Sequence, residues 1–188
     1  IVFDMHPIVI LRCPITGSDL TWLGDAQIEE LNERISAGGL HNLNGTLVRR
    51  NLKRALVSAD KGFVYPVEDD ILVLLPSLAI AANKGTTGKY DGYSLDGNKE
   101  SVMAFYDQIG WCETDQGRCE DGARFEDLRP VAAEYIQKCH LRVGQHIPAR
   151  GTYLLDAASG AIQYPEHLTY SSGYEYRICA DISFAALR

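Results

Sequence analysis

The most informative stretch in the second half of this chain is Leu154-Leu-Asp156-Ala-Ala-Ser-Gly160. Residues 152–156 are mostly apolar and predict a short strand that ends in an acid. Small residues follow, as in a tight turn where the backbone comes close to a ligand. A second strand, predicted over residues 176–180, also ends in an acid, Asp181. This order of strand, small-residue turn, crossover, strand and acid predicts the opening βαβ unit of a doubly wound parallel sheet.

The two acids and the turn form the candidate site. An acid at the end of the second strand can accept hydrogen bonds from ribose hydroxyls. Asp181 lies 25 residues after Asp156, close to the usual separation of about 20. An acid before the turn repels a pyrophosphate but attracts a cation, such as the sulfonium or ammonium group of S-adenosylmethionine. Two alternatives stay open: a turn whose small residues serve packing alone, and a nucleotide-dependent oxidoreductase, which the lack of G-x-G-x-x-G disfavours.

The first part of the chain predicts a small β-rich unit with one helix. Residues 25–35 have apolar side chains at spacings of three and four, which predicts a helix with Asp25 as its N-cap that Gly38 and Gly39 end. Strands are predicted over 8–11, 20–23, 55–58, 62–65 and 71–75. After a glycine-rich linker over 84–98 we expect a helix over 100–109, a polar loop over 112–127 and a helix from Pro130 to about residue 141. The predicted domains are therefore 1–83 and 99–188.

Composition narrows the class of protein. Hydrophobic residues make up 46% and charged residues 23% of the 188 residues, as in an ordinary globular protein. The net charge of −7 argues against non-specific binding to nucleic acid. Five scattered cysteines without a CxxC pair predict reduced thiols and a cytoplasmic protein. No apolar run in the sequence is long enough to span a membrane. The chain begins at Ile1 rather than at a methionine, and it ends at Arg188, a few residues into a helix that is predicted to begin after Ser183. We therefore expect a piece of a longer protein.

The turn sequence, followed by Asp181-Ile-Ser183, resembles the first two motifs of class I S-adenosylmethionine-dependent methyltransferases. The first motif of that family is usually D-x-G-x-G-x-G, and here alanine occupies the first glycine position. The resemblance implies a Rossmann-like domain that binds S-adenosylmethionine. It implies that Asp156 and the backbone of Ala158, Ser159 and Gly160 line the methionine end of the cofactor. It also implies that Asp181, with Ile182 beside it, binds the ribose. Tyr106 is implied to contribute to a lid.

The first domain resembles the small zinc-ribbon-like domain of tRNA-methyltransferase activator subunits. The resemblance rests on residues 11–20 and on the run Tyr65-Pro-Val-Glu-Asp-Asp-Ile-Leu-Val-Leu-Leu75. Thr16 stands at the second cysteine position of the family's C-P-x-C knuckle, and Ser58 stands where a later cysteine would be. With only Cys13 left of a tetrahedral set, we expect no structural zinc.

The expected function is methyl transfer from S-adenosylmethionine to an unidentified acceptor. Only two strands of the doubly wound sheet are predicted before Arg188, so this chain is expected to carry the cofactor-binding first half and to be inactive alone. Either the protein is longer than this sequence, or this chain pairs with a second copy or with a protein partner. The alternative is a non-catalytic interaction module that binds or stabilises a methyltransferase partner. That alternative predicts no cofactor binding and an exposed apolar patch at residues 71–75.

Overall fold

The structure, a computed structural model, describes residues 9–82, 97–115, 118–127, 129–162 and 164–188. The chain divides into two compact units, Ile1–Asp96 and Gly97–Arg188. Most of the predicted linker, residues 84–96, lies outside the described residues, as does residue 8 of the first predicted strand. Residues 97 and 98 begin a helix.

The first unit is an antiparallel sheet with one helix. Its elements are β1 (Leu20–Trp22), α1 (Asp25–Ser36), β2 (Ala55–Ser58), β3 (Phe63–Glu68), β4 (Ile71–Leu72) and β5 (Ile80–Ala81). The strands follow the order β1-β2-β3-β4, and β5 pairs with β3. The predicted helix is confirmed, with Gly24 rather than Asp25 as its N-cap. The strand predicted at 8–11 is wrong, because Val9 and Ile10 are exposed and helical.

Both faces of this sheet are covered, which explains why every residue of β2 is buried. Neighbouring residues of a strand point to opposite faces. Val57 and Val64 therefore pack with Ile28, Leu31 and Ile35 of α1 on one face. On the other face the buried side chains are Cys13, Leu20, Leu56, Phe63, Tyr65 and Ala79. A continuous apolar strand is the sequence pattern expected for such a covered sheet.

The second unit contains three helices and a parallel strand pair. Its elements are α2 (Gly97–Phe105), a π-helical turn (Tyr106–Gly110), α3 (Glu120–Phe125), α4 (Pro130–Arg142), β6 (Gly151–Ala157), a 3-10 turn (Pro165–Ser171), β7 (Tyr174–Ala180) and a 3-10 turn (Ala185–Leu187). The helices predicted at 100–109 and from Pro130 are confirmed. The loop predicted over 112–127 contains α3, and the helix expected after Ser183 is only a 3-10 turn.

β6 and β7 pair in parallel from Gly151↔Tyr174 to Ala157↔Ala180. The parallel pairing predicted from the turn and the two acids is thus confirmed. The described chain is mixed α/β, with an antiparallel sheet in one unit and a small parallel sheet in the other. None of its described helices combines the length and the apolar character that crossing a membrane requires.

The two units differ in how they bury apolar residues. Of the 18 buried hydrophobic residues in the described parts of the chain, Ala186 alone belongs to the second unit. Ten of the 13 exposed large hydrophobic residues belong to that unit, and on α4 both Val131 and Tyr135 are 67% exposed. Parallel sheets are usually covered on both faces. The apolar surface of the second unit is therefore suited to packing against further structure.

Candidate functional site

The candidate site lies at the carboxyl edge of the parallel pair, where both strands end at the same level. The turn after β6 bends back over this edge, because Ala158 (φ +57°) and Gly160 (φ +60°) both have left-handed backbone. The Ser159 N–H donates to the carbonyl oxygen of Ala180 at 3.2 Å. This bond fixes the turn to the end of the neighbouring strand.

Asp181 is joined to this turn through its carboxylate. The Gly160 N–H donates to Asp181 Oδ2 at 2.9 Å, and the Ser183 N–H donates to Oδ1 at 2.8 Å. A carboxylate has about four acceptor positions, so two remain for hydroxyl groups of a ligand. Asp181 and Ile182 are both half-buried. The structure thus brings together the turn and the second acid, two of the features singled out in the sequence.

Asp156 has a partner within the chain. Its Oδ2 accepts a hydrogen bond from Arg177 Nη2, and the two side chains are only 25% and 16% exposed. Burial disfavours the charged guanidinium, but the hydrogen bond to Asp156 and the nearby Tyr170 raise the pKa of Arg177 above its usual value. Asp156 is therefore already neutralised by a cation of the protein. A cationic ligand would have to compete with Arg177 for this carboxylate.

An aromatic pair covers the turn. The rings of Tyr106 and Trp111 stack with centroids 5.2 Å apart and planes inclined by 22°. The indole of Trp111 in turn packs against Gly160, where an added Cβ would lie 3.0 Å from Cη2 and 3.1 Å from Cζ2. Tyr106, predicted to contribute to a lid, thus reaches the turn through Trp111.

Asp107 holds the aromatic pair in place. Its Oδ1 accepts hydrogen bonds from the Ser183 hydroxyl at 2.7 Å and from the Ala185 N–H at 3.0 Å. Ser183 is completely buried, and its oxygen accepts a further bond from the Ala186 N–H at 3.3 Å. The π-helical turn is in this way tied to the segment that follows β7.

Sequence reasoning missed three residues of this site: Asp107, Trp111 and Arg177. Asp107 follows Tyr106 directly and Trp111 comes just after the predicted helix, so both lie next to residues that the sequence analysis considered. Their partners are distant in sequence, and no spacing pattern predicts those contacts. Arg177 could have been paired with Asp156 from the strand register, which places it opposite Leu154 on the same face as Asp156.

Buried polar atoms without a partner concentrate near this edge. In the described parts of the chain these side-chain atoms are Trp111 Nε1, Arg118 Nη1, Ser159 Oγ, and Nε and Nη1 of Arg177. Most buried polar groups in proteins form hydrogen bonds. Two of these atoms belong to the turn and to the indole that packs on it, so the site has polar groups to offer to a ligand.

Cys13, the cysteine of the first unit, forms two hydrogen bonds within that unit. Cys13 Sγ forms a hydrogen bond with the Tyr65 hydroxyl at 3.0 Å and accepts one from the Thr16 N–H at 3.4 Å. Burial raises the pKa of the Cys13 thiol, but these hydrogen bonds outweigh it and lower the pKa below its usual value. Across the residues that the structure describes, no group of three or more His, Cys, Asp or Glu is arranged to hold a metal ion.

Comparison with known proteins gives few relatives. No family model matches the chain, and no curated protein matches it. Among solved structures, the solution NMR structure of XF2673 from Xylella fastidiosa matches with 35% sequence identity, a TM-score of 0.35, and coverage of 42% of this chain and 80% of that chain. With that TM-score the match carries no argument about fold or function.

Proposed function

We propose that the second unit binds S-adenosylmethionine and that the protein transfers the methyl group to an acceptor. The observation that carries the proposal is the hydrogen bond from the Gly160 N–H to Asp181 Oδ2. It joins the small-residue turn after one parallel strand to the acid after the next. Ligands of open α/β sheets bind at this carboxyl edge.

The residues of the edge fit the chemical groups of this cofactor, and Asp156 among them already has a partner. Asp181 has acceptor positions left for two ribose hydroxyls. The backbone of Ala158, Ser159 and Gly160 would line the methionine end of the cofactor. Ile182 and Tyr106 would supply apolar contact. Asp156 would bind an ammonium group only if its pair with Arg177 opened or was shared.

The task of these residues in the reaction is to position the methyl group. When bound, the cofactor supplies an electrophilic methyl group on a sulfonium. The turn and Asp181 would hold the two ends of the molecule, and alignment with the acceptor is worth several orders of magnitude in rate. The acceptor would be bound by other parts of the proposed doubly wound domain, for which the exposed apolar face of α4 provides packing surface.

The alternative, an interaction module, finds less support. It predicts an exposed apolar patch at residues 71–75. Val73 is buried there, and Ile71, Leu72, Leu74 and Leu75 are half-buried. We therefore favour the enzyme over the interaction module.

The test is calorimetric titration of S-adenosylhomocysteine into the full chain and into two variants. Asp181→Ala removes both carboxylate oxygens and should weaken binding by about 1–3 kcal/mol, or roughly 5- to 150-fold. Glu175→Ala is the matched control, since Glu175 is an exposed acid on the same strand, and it should leave affinity unchanged. Failure of the folded wild-type chain to bind would contradict the proposal.

A further inference from the structure

Two buried polar atoms at the turn lack a hydrogen-bond partner in the described structure, Trp111 Nε1 and Ser159 Oγ. An indole N–H is a donor only, whereas a hydroxyl can donate and accept. Leaving such a group buried and unpaired is unfavourable to folding. Both atoms belong to the same small region, because the ring of Trp111 packs on Gly160, the residue after Ser159.

The indole has little freedom to rotate toward solvent. Tyr106 stacks on it, and the backbone of Gly160 lies against Cη2 and Cζ2. The π-helical turn adds to this restraint, since the backbone N–H of Trp111 donates to the carbonyl oxygen of Tyr106, five residues earlier, at 3.1 Å. Such single π-turns occur often at functional sites. Asp107 then anchors the turn to Ser183 and Ala185.

The ligand group that suits these atoms is a carboxylate. A donor-only N–H needs an acceptor, and hydrogen bonds to a charged acceptor are the stronger ones. Asp181 lies on the other side of the Gly160 amide and, as an acceptor, suits hydroxyl groups. The donors near the turn are thus separate from the acceptor that would bind the ribose.

We propose that Trp111 contacts the bound cofactor and donates its indole N–H to the carboxylate of the methionyl group, with the Ser159 hydroxyl as a second donor. This inference rests on the proposed function. It assigns a binding role to a residue outside the two sequence motifs, and it predicts that another aromatic residue at position 111 would bind the carboxylate less well.

The experiment compares two ligands on the full chain by calorimetry. S-adenosylhomocysteine carries the carboxylate, whereas 5′-methylthioadenosine keeps the adenosine and sulfur but lacks the amino-acid group. Trp111→Phe retains a ring against Gly160 and Tyr106 but removes the N–H. It should weaken binding of S-adenosylhomocysteine about tenfold, as expected for one hydrogen bond to a charged group, and leave 5′-methylthioadenosine unaffected. Trp22→Phe, in the first unit, is the control and should affect neither ligand.

Ser159→Ala is the second variant, since it replaces a hydroxyl by a hydrogen and is compatible with the fold. It should weaken binding of S-adenosylhomocysteine severalfold, again without effect on 5′-methylthioadenosine. Equal weakening of both ligands by Trp111→Phe, unchanged binding, or tighter binding would each overturn the role of Trp111 and leave the proposed function standing. A folded wild-type chain that binds neither ligand would overturn both.

Discussion

The carboxylate of Asp107 and the hydroxyl of Ser183, 76 residues apart in sequence, form a hydrogen bond of 2.7 Å. The same Asp107 oxygen accepts the Ala185 N–H. Ser183 follows Asp181 by two residues, and Asp107 lies in the turn that carries Tyr106 and Trp111. The bond therefore ties the aromatic pair to the strand end that holds the candidate ribose acceptor.

Replacing Asp107 tests whether its hydrogen bond with Ser183 stabilises the second unit. Asp107→Ala leaves the buried Ser183 hydroxyl and the Ala185 N–H without their acceptor, so the free energy of unfolding should fall by about 1–3 kcal/mol. Asp107→Asn keeps one acceptor oxygen and should lose less. The measurement is urea unfolding followed by Trp111 fluorescence in a Trp22→Phe background. Gln108→Ala, an exposed neighbour on the same turn, is the control. Equal stability of Asp107→Ala and the parent would show that the hydrogen bonds to Asp107 do not stabilise the second unit.

Gly160 is expected to tolerate no side chain, for two separable reasons. Its positive φ costs an alanine about 1–2 kcal/mol, and a Cβ there would press on the Trp111 ring at 3.0 Å. Gly38 has a similar φ of +70° with nothing within 4 Å of an added Cβ, so Gly38→Ala measures the backbone cost alone. Gly160→Ala should therefore destabilise its unit by about 1 kcal/mol more than Gly38→Ala destabilises the first unit. Chemical unfolding measures both losses of stability, followed by Trp111 fluorescence for Gly160→Ala and by Trp22 fluorescence for Gly38→Ala. Equal losses would show that Trp111 does not restrict this position.

The hydrogen bonds to Asp60 predict that the stability of the first unit depends on pH. The Ser58 hydroxyl donates to Asp60 Oδ1 at 2.5 Å and the Gly62 N–H donates to the same oxygen at 3.1 Å. These two bonds lower the pKa of Asp60 below its usual value. A carboxyl whose pKa is lower in the folded state stabilises that state above its unfolded pKa, and the effect is lost as the pH falls through the folded pKa.

Asp60→Asn should accordingly reduce the stability of the first unit near neutral pH and have a smaller effect in acid, where the parent carboxyl is protonated. The loss should be modest because Asp60 is exposed to solvent. Unfolding curves at several pH values, followed by Trp22 fluorescence in a Trp111→Phe background, provide the measurement. Glu30→Gln, at an exposed acid of α1, is the comparison. A difference between Asp60→Asn and the parent that stays constant with pH would contradict this account.

Much of the local structure follows from short-range patterns. The apolar spacing of Ile28, Leu31 and Ile35 predicts α1, and all three are buried. Pro130 predicts the start of α4 because it suits the first turn of a helix. The strand predicted at 8–11 failed, since an apolar run of four residues does not by itself distinguish a strand from a turn. The partner of Asp107, Ser183, lies 76 residues further along the chain, and no short-range pattern predicts that contact.

Local patterns in the sequence predict the two strands of the candidate site and their parallel pairing, because these depend on hydrophobic periodicity and on small residues at one turn. The contact of Trp111 with Gly160 and the hydrogen bond of Asp107 with Ser183 are set by tertiary packing. These contacts join residues far apart in the chain. Their formation depends on the packing of α2 and its π-helical turn against the strand ends, and no local preference of the backbone encodes that packing.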